Sequence, residues 1–117
     1  MKVLIIEDDL LTRKVLKFRL EAQGIDVIEL EDGLNSDEYA QFKEIDFYIV
    51  DLHLPTIHGS KVVDHVLDHN PEANIILTSG DEQSTLKKTL LTKAKAFLQK
   101  PYTKNEFLEL DKVIGYE

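Results

Sequence analysis

The sequence predicts an α/β fold built on a doubly wound, five-stranded parallel sheet. Three observations point there. Short apolar runs alternate with amphipathic segments from one end of the chain to the other, as parallel strands joined by helical crossovers do. The runs at 3–6 and 47–50 are apolar at every position, the mark of strands buried on both faces. No repeat, linker or low-complexity stretch interrupts the alternation, and 117 residues fit one domain spanning 1–117.

Taken in order, Val3, Leu4, Ile5 and Ile6 make the first strand. Leu11, Val15 and Phe18 recur at helical spacing, with Thr12, Leu16 and Leu20 as the row beside them. A helix is therefore expected over residues 10–23, stopped by Gly24. A short second strand follows at 26–30. Between Asp32 and Glu44 the apolar positions Leu34, Tyr39, Ala40 and Phe42 suggest a short helix of irregular spacing. Phe47, Tyr48, Ile49 and Val50 form the third strand, which ends at Asp51. Val62, Val63, Val66 and Leu67 trace a helical stripe that Asn70-Pro71 closes. Residues 75–78 are the fourth strand, and Leu86, Leu90, Leu91 and Ala94 line the next helix. Ala96-Phe97-Leu98 is the fifth strand. Thr103-Lys104-Asn105-Glu106 has capping-box spacing and opens a last helix with Phe107, Leu110 and Ile114 on its core face.

Composition narrows the function classes. At 43% hydrophobic and 31% charged the chain is globular rather than disordered. It has no cysteine, which excludes a disulfide framework, a thiolate metal site and a cysteine nucleophile, and fits a reducing cytoplasm. The longest apolar runs are far short of the ~20 residues that cross a bilayer, so no membrane contact is expected. Met1-Lys2 leads straight into a strand and then into acids, unlike a signal peptide. A net charge of -8 argues against a nucleic-acid backbone as partner and favours proteins and cations.

In an open parallel sheet, ligands bind beyond the carboxyl ends of the strands. Those ends carry Glu7-Asp8-Asp9, Asp51, Ser79 and Lys100, with Glu31-Asp32 off to one side. Two carboxylates about 4 Å apart repel by roughly 4 kcal/mol at an effective dielectric of about 20. Gathering three calls for a proton or a bound cation. Oxygen-only ligands favour a hard cation, and Mg2+ commonly takes one or two carboxylates, waters and a phosphate oxygen. Lys100 would neutralise a further anion and Ser79 would donate a hydrogen bond to it. The set suits phosphoryl transfer to Asp51, which ends the central strand and is the natural nucleophile.

These residues carry a family resemblance. Residues 3–9, then Val50-Asp51-Leu52-His53-Leu54-Pro55 with Gly59, then residues 75–80, then Phe97-Leu98-Gln99-Lys100-Pro101 stand in order at successive strand ends. The whole chain thereby resembles the receiver domains of bacterial two-component response regulators, in their stand-alone, chemotaxis-regulator-like form. The resemblance implies a three-layer, flavodoxin-like (βα)5 fold with strand order 2-1-3-4-5. It implies phosphorylation of Asp51 with Mg2+ as cofactor, and Asp51 and Lys100 as the groups that carry the chemistry. Asp8 and Asp51 would touch the metal directly, Glu7 through water, and the backbone carbonyl of His53 would be a further ligand. Ser79 and Lys100 would bind phosphoryl oxygens, and Ser79 with Phe97 would form the switch, altering the face made by the fourth helix, fifth strand and fifth helix. The partners implied are a histidine kinase or histidine phosphotransfer protein and a downstream protein target. The domain itself would be no enzyme beyond its own phosphorylation and dephosphorylation. Lys100-Pro101 is commonly a cis peptide in this family.

Three positions depart from the family pattern. Phe97 lacks the hydroxyl of the commoner tyrosine, residues 35–44 lack the usual Ala-Leu pair, and His53 and Asp81 occupy variable positions that tune phosphoryl lifetime. Plainer readings stand beside these. Asp51 could be a turn residue, Ser79 a loop hydroxyl, Lys100 a solvated lysine and Phe97 core alone. The acidic triplet could serve the first helix's dipole, as Asp9 is expected to do. His65 and His69, four apart and beside Asp64 and Asp68, read as an exposed face rather than metal ligands. Thr12-Arg13-Lys14 and the lysines at 87, 88, 93 and 95 read as solvated. Two other classes share the topology. An aspartate-nucleophile phosphatase would use acids spaced as Glu7 and Asp9 are, with Glu7 the wrong residue type. A flavin-binding module would need a hydroxyl- and glycine-rich loop where the three acids stand. Within the receiver class, a free-standing regulator, a relay intermediate and a fragment of a longer regulator with its own output domain all fit.

Overall fold

The computed structural model describes residues 1–115; Tyr116 and Glu117, the end of the expected 1–117 domain, lie outside the described residues. Five parallel strands, β1 (Lys2–Ile6), β2 (Asp26–Leu30), β3 (Phe47–Asp51), β4 (Ile75–Ser79) and β5 (Ala96–Gln99), form one sheet in the order β2-β1-β3-β4-β5. This is the flavodoxin-like arrangement. The helices are α1 (Leu10–Ala22), α2 (Gly59–His69), α3 (Lys88–Leu91) and α4 (Lys104–Ile114), with 3-10 turns at Ser36–Gln41 and Gln83–Thr85.

The two-faced strands divide the core. Val3, Ile5, Phe47, Ile49 and Ile76 face Leu16 and Leu20 of α1 and Leu110 and Ile114 of α4. Leu4, Ile6, Tyr48, Val50, Ile75 and Leu77 face Val62, Val63 and Val66 of α2. Each strand therefore alternates between two buried layers, which explains the unbroken apolar runs. Tyr39, from the first 3-10 turn, is fully buried on the α2 side.

Helix ends are fixed locally. The Asp9 carboxylate caps α1, accepting from Thr12 N at 2.9 Å and from its hydroxyl at 2.6 Å. His58 caps α2, its Nδ1 accepting from Ser60 N at 3.1 Å. The Thr103 amide donates to Glu106 Oε1 at 2.8 Å at the start of α4. Gly24 and Gly115 adopt φ of +81° just beyond α1 and at the end of α4.

Of the two rows on α1, Leu11, Val15 and Phe18 are exposed, at 76%, 46% and 72%, while Leu16 and Leu20 are buried. Both rows are apolar, so periodicity alone could not choose between them; packing on Val3 and Ile5 does. Three sequence expectations, on Arg13, the 86–94 helix and His65, need correction. Arg13 is not solvated: it is buried on the sheet-facing side of α1 and bonded to Glu29. The helix expected over Leu86 to Ala94 contracts to the one-turn α3. There the Thr85 and Thr92 hydroxyls donate to the Glu82 and Thr89 carbonyls, local bonds that compete with helix propagation, and Lys87 supplies no side-chain cap. Finally, His65 is half-buried and its Nδ1 lies 3.0 Å from the Leu34 carbonyl, which it holds against α2, while His69 is exposed.

Candidate functional site

Register brings the chemistry to one edge. Ile6 pairs with Val50, Asp51 with Thr78, and Ser79 with Gln99. The residues at and just past these pairs are Glu7 and Asp8, Asp51, Ser79 and Lys100. Glu7, Asp8 and Asp51 each place a carboxylate oxygen within 4.8 Å of the others, the one grouping of three or more metal-ligating side chains among the described residues. Glu7 and Asp51 are each only 2% exposed, while Asp8 lies open to solvent.

Lys100 closes the other side. Its Nζ lies 3.1 Å from Asp51 Oδ2 and also contacts Glu7 Oε1. Burial lifts the Glu7 pKa to about 7, and the neighbouring Asp51 carboxyl pushes the same way against the Lys100 ammonium. Burial alone would lower the Lys100 pKa, yet Glu7 and Asp51 hold it above the usual lysine value. One ammonium is shared by two buried acids, so the cluster retains an excess of negative charge. Oxygen donors alone, half-buried and half-open, fit a hard divalent cation with water or ligand oxygens on its outer side.

The backbone fixes Asp51 closely. His53 N donates to Asp51 Oδ1 at 3.2 Å, and Asp9 N donates to Glu7 Oε2 at 3.2 Å. Gly59, the first residue of α2, donates to the Leu52 carbonyl at 2.9 Å. A Cβ there would lie 2.3 Å from the Asp51 carbonyl oxygen, so only glycine lets α2 start this close to the end of β3. Its sequence motif was visible, but not this tertiary reason.

Ser79 is fully buried and its Oγ accepts from Asp81 N at 2.9 Å, so the hydroxyl is held by its own loop. The exposed His53 and Asp81 side chains meet across the mouth of the site, Nε2 to Oδ2 at 2.7 Å. Phe97 is half-buried, packed in the α2-side layer and paired in register with Leu77. The Lys100-Pro101 peptide is cis. Sequence reasoning missed Arg13. Its Nη1 donates to the Glu7 carbonyl at 2.9 Å, and the only signal was its place in the same helical row as Leu16 and Leu20.

A family model described as the response regulator receiver domain matches residues 3–111. A cyclic di-GMP phosphodiesterase of Thermotoga maritima is 34% identical over 102 residues, 86% of this chain and 27% of its own length. The aerobic respiration control protein ArcA of Escherichia coli K12 is 31% identical over 104 residues, 89% of this chain and 44% of its own. The chain thus spans less than half the length of either relative. Among solved structures, the CheX–CheY complex with BeF3 and Mg2+ from Borrelia burgdorferi matches with a TM-score of 0.85 at 26% identity, covering 97% of this chain and 89% of that one. Among the described residues, no helix is long and apolar enough to cross a membrane.

Proposed function

The chain belongs to the response regulator receiver family, and from that premise we propose that it accepts a phosphoryl group on Asp51 and signals through a conformational change. The observation that carries this reading is the meeting of the Glu7, Asp8 and Asp51 oxygens within 4.8 Å, with the Lys100 ammonium 3.1 Å from Asp51.

Asp8 and Asp51 would hold Mg2+ directly, Glu7 through water, and the His53 carbonyl would complete the protein's share. Bound there, Mg2+ would neutralise charge on the transferring phosphoryl oxygens. Asp51 supplies the attacking oxygen: its O–P bond forms as the N–P bond of a phosphohistidine breaks, leaving the donor's imidazole. The donor is a histidine kinase or histidine phosphotransfer protein. Lys100 binds one phosphoryl oxygen, exchanging its present contact with Asp51 for the product anion. The Ser79 hydroxyl would leave the Asp81 amide to donate to another oxygen, and Phe97 would move inward as it does so. The altered surface is then α3, β5 and α4, read by a downstream protein rather than by nucleic acid. The same switch serves a free-standing cytoplasmic chain or one joined to an output domain. No substrate turnover is part of this role; the chemistry is limited to its own phosphorylation and dephosphorylation.

Incubation with acetyl phosphate and Mg2+ tests the assignment by intact mass. One phosphoryl group should add to the native chain and none to Asp51→Asn. Incorporation that persists in Asp51→Asn would overturn the site.

A further inference from the structure

We propose that Arg13 is a positioning residue for the cation site, holding the peptide plane that joins Glu7 to Asp8; this rests on the reading of Glu7, Asp8 and Asp51 as a Mg2+ site. Arg13 is 5% exposed, an unusual place for a charge on a helix with an open outer face. Its three contacts use the planar fork of the guanidinium. Nη1 donates to the Glu7 carbonyl at 2.9 Å, Nε to Glu29 Oε1 at 3.0 Å, and Nη2 lies 3.6 Å from Glu31 Oε1.

The Glu7 carbonyl belongs to the same peptide unit as the Asp8 amide. On the other side of Glu7, its own N–H donates to the Leu30 carbonyl at 3.0 Å. Both peptides flanking the Glu7 Cα are therefore tied, one to β2 and one to α1. Asp8 is exposed, so the backbone on either side sets its position: Asp9 N holds the far peptide on Glu7 Oε2 at 3.2 Å, and the near one depends on the direction in which the backbone leaves Glu7. Arg13 sets that direction, and Glu29 sets Arg13.

Charge neutralisation does not account for the arrangement. Lys14 and Lys17 already reach Glu29 at 2.9 and 3.3 Å, so that carboxylate has cations without Arg13. What the lysines do not supply is a donor on the Glu7 carbonyl.

Electrostatics and positioning predict opposite signs, which makes the test sharp. Removing a positive charge near a cation site should tighten Mg2+ binding if charge alone mattered. If Arg13 positions the acids, Arg13→Met should weaken Mg2+ binding by about 10- to 100-fold, as loss of an outer-shell partner does. Titration calorimetry of the full chain with MgCl2 measures this, with thermal unfolding as the check that each variant is folded. Arg13→Lys keeps the charge without the fork and should shift affinity in the same direction; it decides the matter should Arg13→Met not fold. Lys17→Met removes a neighbouring charge that touches only Glu29 and should bind Mg2+ as the native chain does. The phosphorylation rate of Arg13→Lys from acetyl phosphate should recover at saturating Mg2+, which a generally damaged fold would not allow. Folded Arg13 variants that bind Mg2+ as tightly as the native chain, or more tightly, would overturn the proposal. A native chain that binds no Mg2+ would overturn the site reading beneath it, before any variant is compared.

Discussion

Around the acids, residues 3–7 and 47–52 are buried without exception, whereas none of residues 80–95 is. The first region is the pair of central strands with Glu7 and Asp51 at their ends, braced by Arg13, Gly59 and the cap at Asp9. The second contains a 3-10 turn, the single turn of α3 and no side-chain cap on either, and it leads into β5 with Phe97 and Lys100. Segments with little buried surface open at lower free energy than packed strands. On the proposed reading, the acceptor would stand on the firmly packed part of the molecule and the response would be carried by the part with little buried surface. In that proposal, a phosphoryl group on Asp51 would act by drawing Ser79 and Lys100 toward a fixed point.

The contrast can be broken by truncation. Ile5→Ala, in the first region, should cost about 2–5 kcal/mol in denaturant unfolding. Leu86→Ala, half-buried in the second, should cost about 1 kcal/mol or less. Equal costs would remove the distinction. Gly59→Ala should fall between them, at about 1–3 kcal/mol, because its Cβ must displace the Asp51 carbonyl. The same variant should lose phosphoryl incorporation out of proportion to its stability.

How much of this was legible in the sequence follows from what each residue reports. Val3 to Ile6 and Phe47 to Val50 announced doubly buried strands because both faces of each are covered, and the strand-end acids, Ser79 and Lys100 followed from topology. The buried face of α1 was not legible, since Leu11-Val15-Phe18 and Leu16-Leu20 are equally apolar and only the sheet selects one. Arg13 was hidden because a charged residue in a helix ordinarily faces water; its burial depends on a carbonyl and a carboxylate from other elements. The reduction of the 86–94 helix reflects side-chain to backbone bonds by Thr85 and Thr92, which a pattern of leucines does not reveal.

Two carboxylates sharpen the comparison through pH. Glu7 has its pKa raised from the usual 4.5 to about 7 by burial and by Asp51. In the metal-free protein the folded state then holds this proton more tightly than the unfolded state does. Its contribution is fully present below 4.5 and is lost as pH rises through about 7. Glu29 behaves oppositely: burial opposes ionisation, but Lys14, Arg13 and Lys17 outweigh it and lower its pKa from 4.5 to about 2. That contribution is present above 4.5 and is lost as pH falls through about 2. Denaturant midpoints against pH should lose the upper slope in Glu7→Gln and the lower one in Glu29→Gln. Saturating Mg2+ should flatten only the upper. The smallest effect is expected at the exposed Lys93–Asp64 pair, 2.8 Å apart: Lys93→Met should change stability by no more than about 0.5 kcal/mol.

Amide hydrogen exchange with and without acetyl phosphate and Mg2+ tests the division most directly. Exchange should change in residues 79–100 and along α4 on phosphorylation, while residues 3–6 and 47–50 keep the protection they had. A change concentrated in β1 and β3, with residues 79–100 unaltered, would contradict the account.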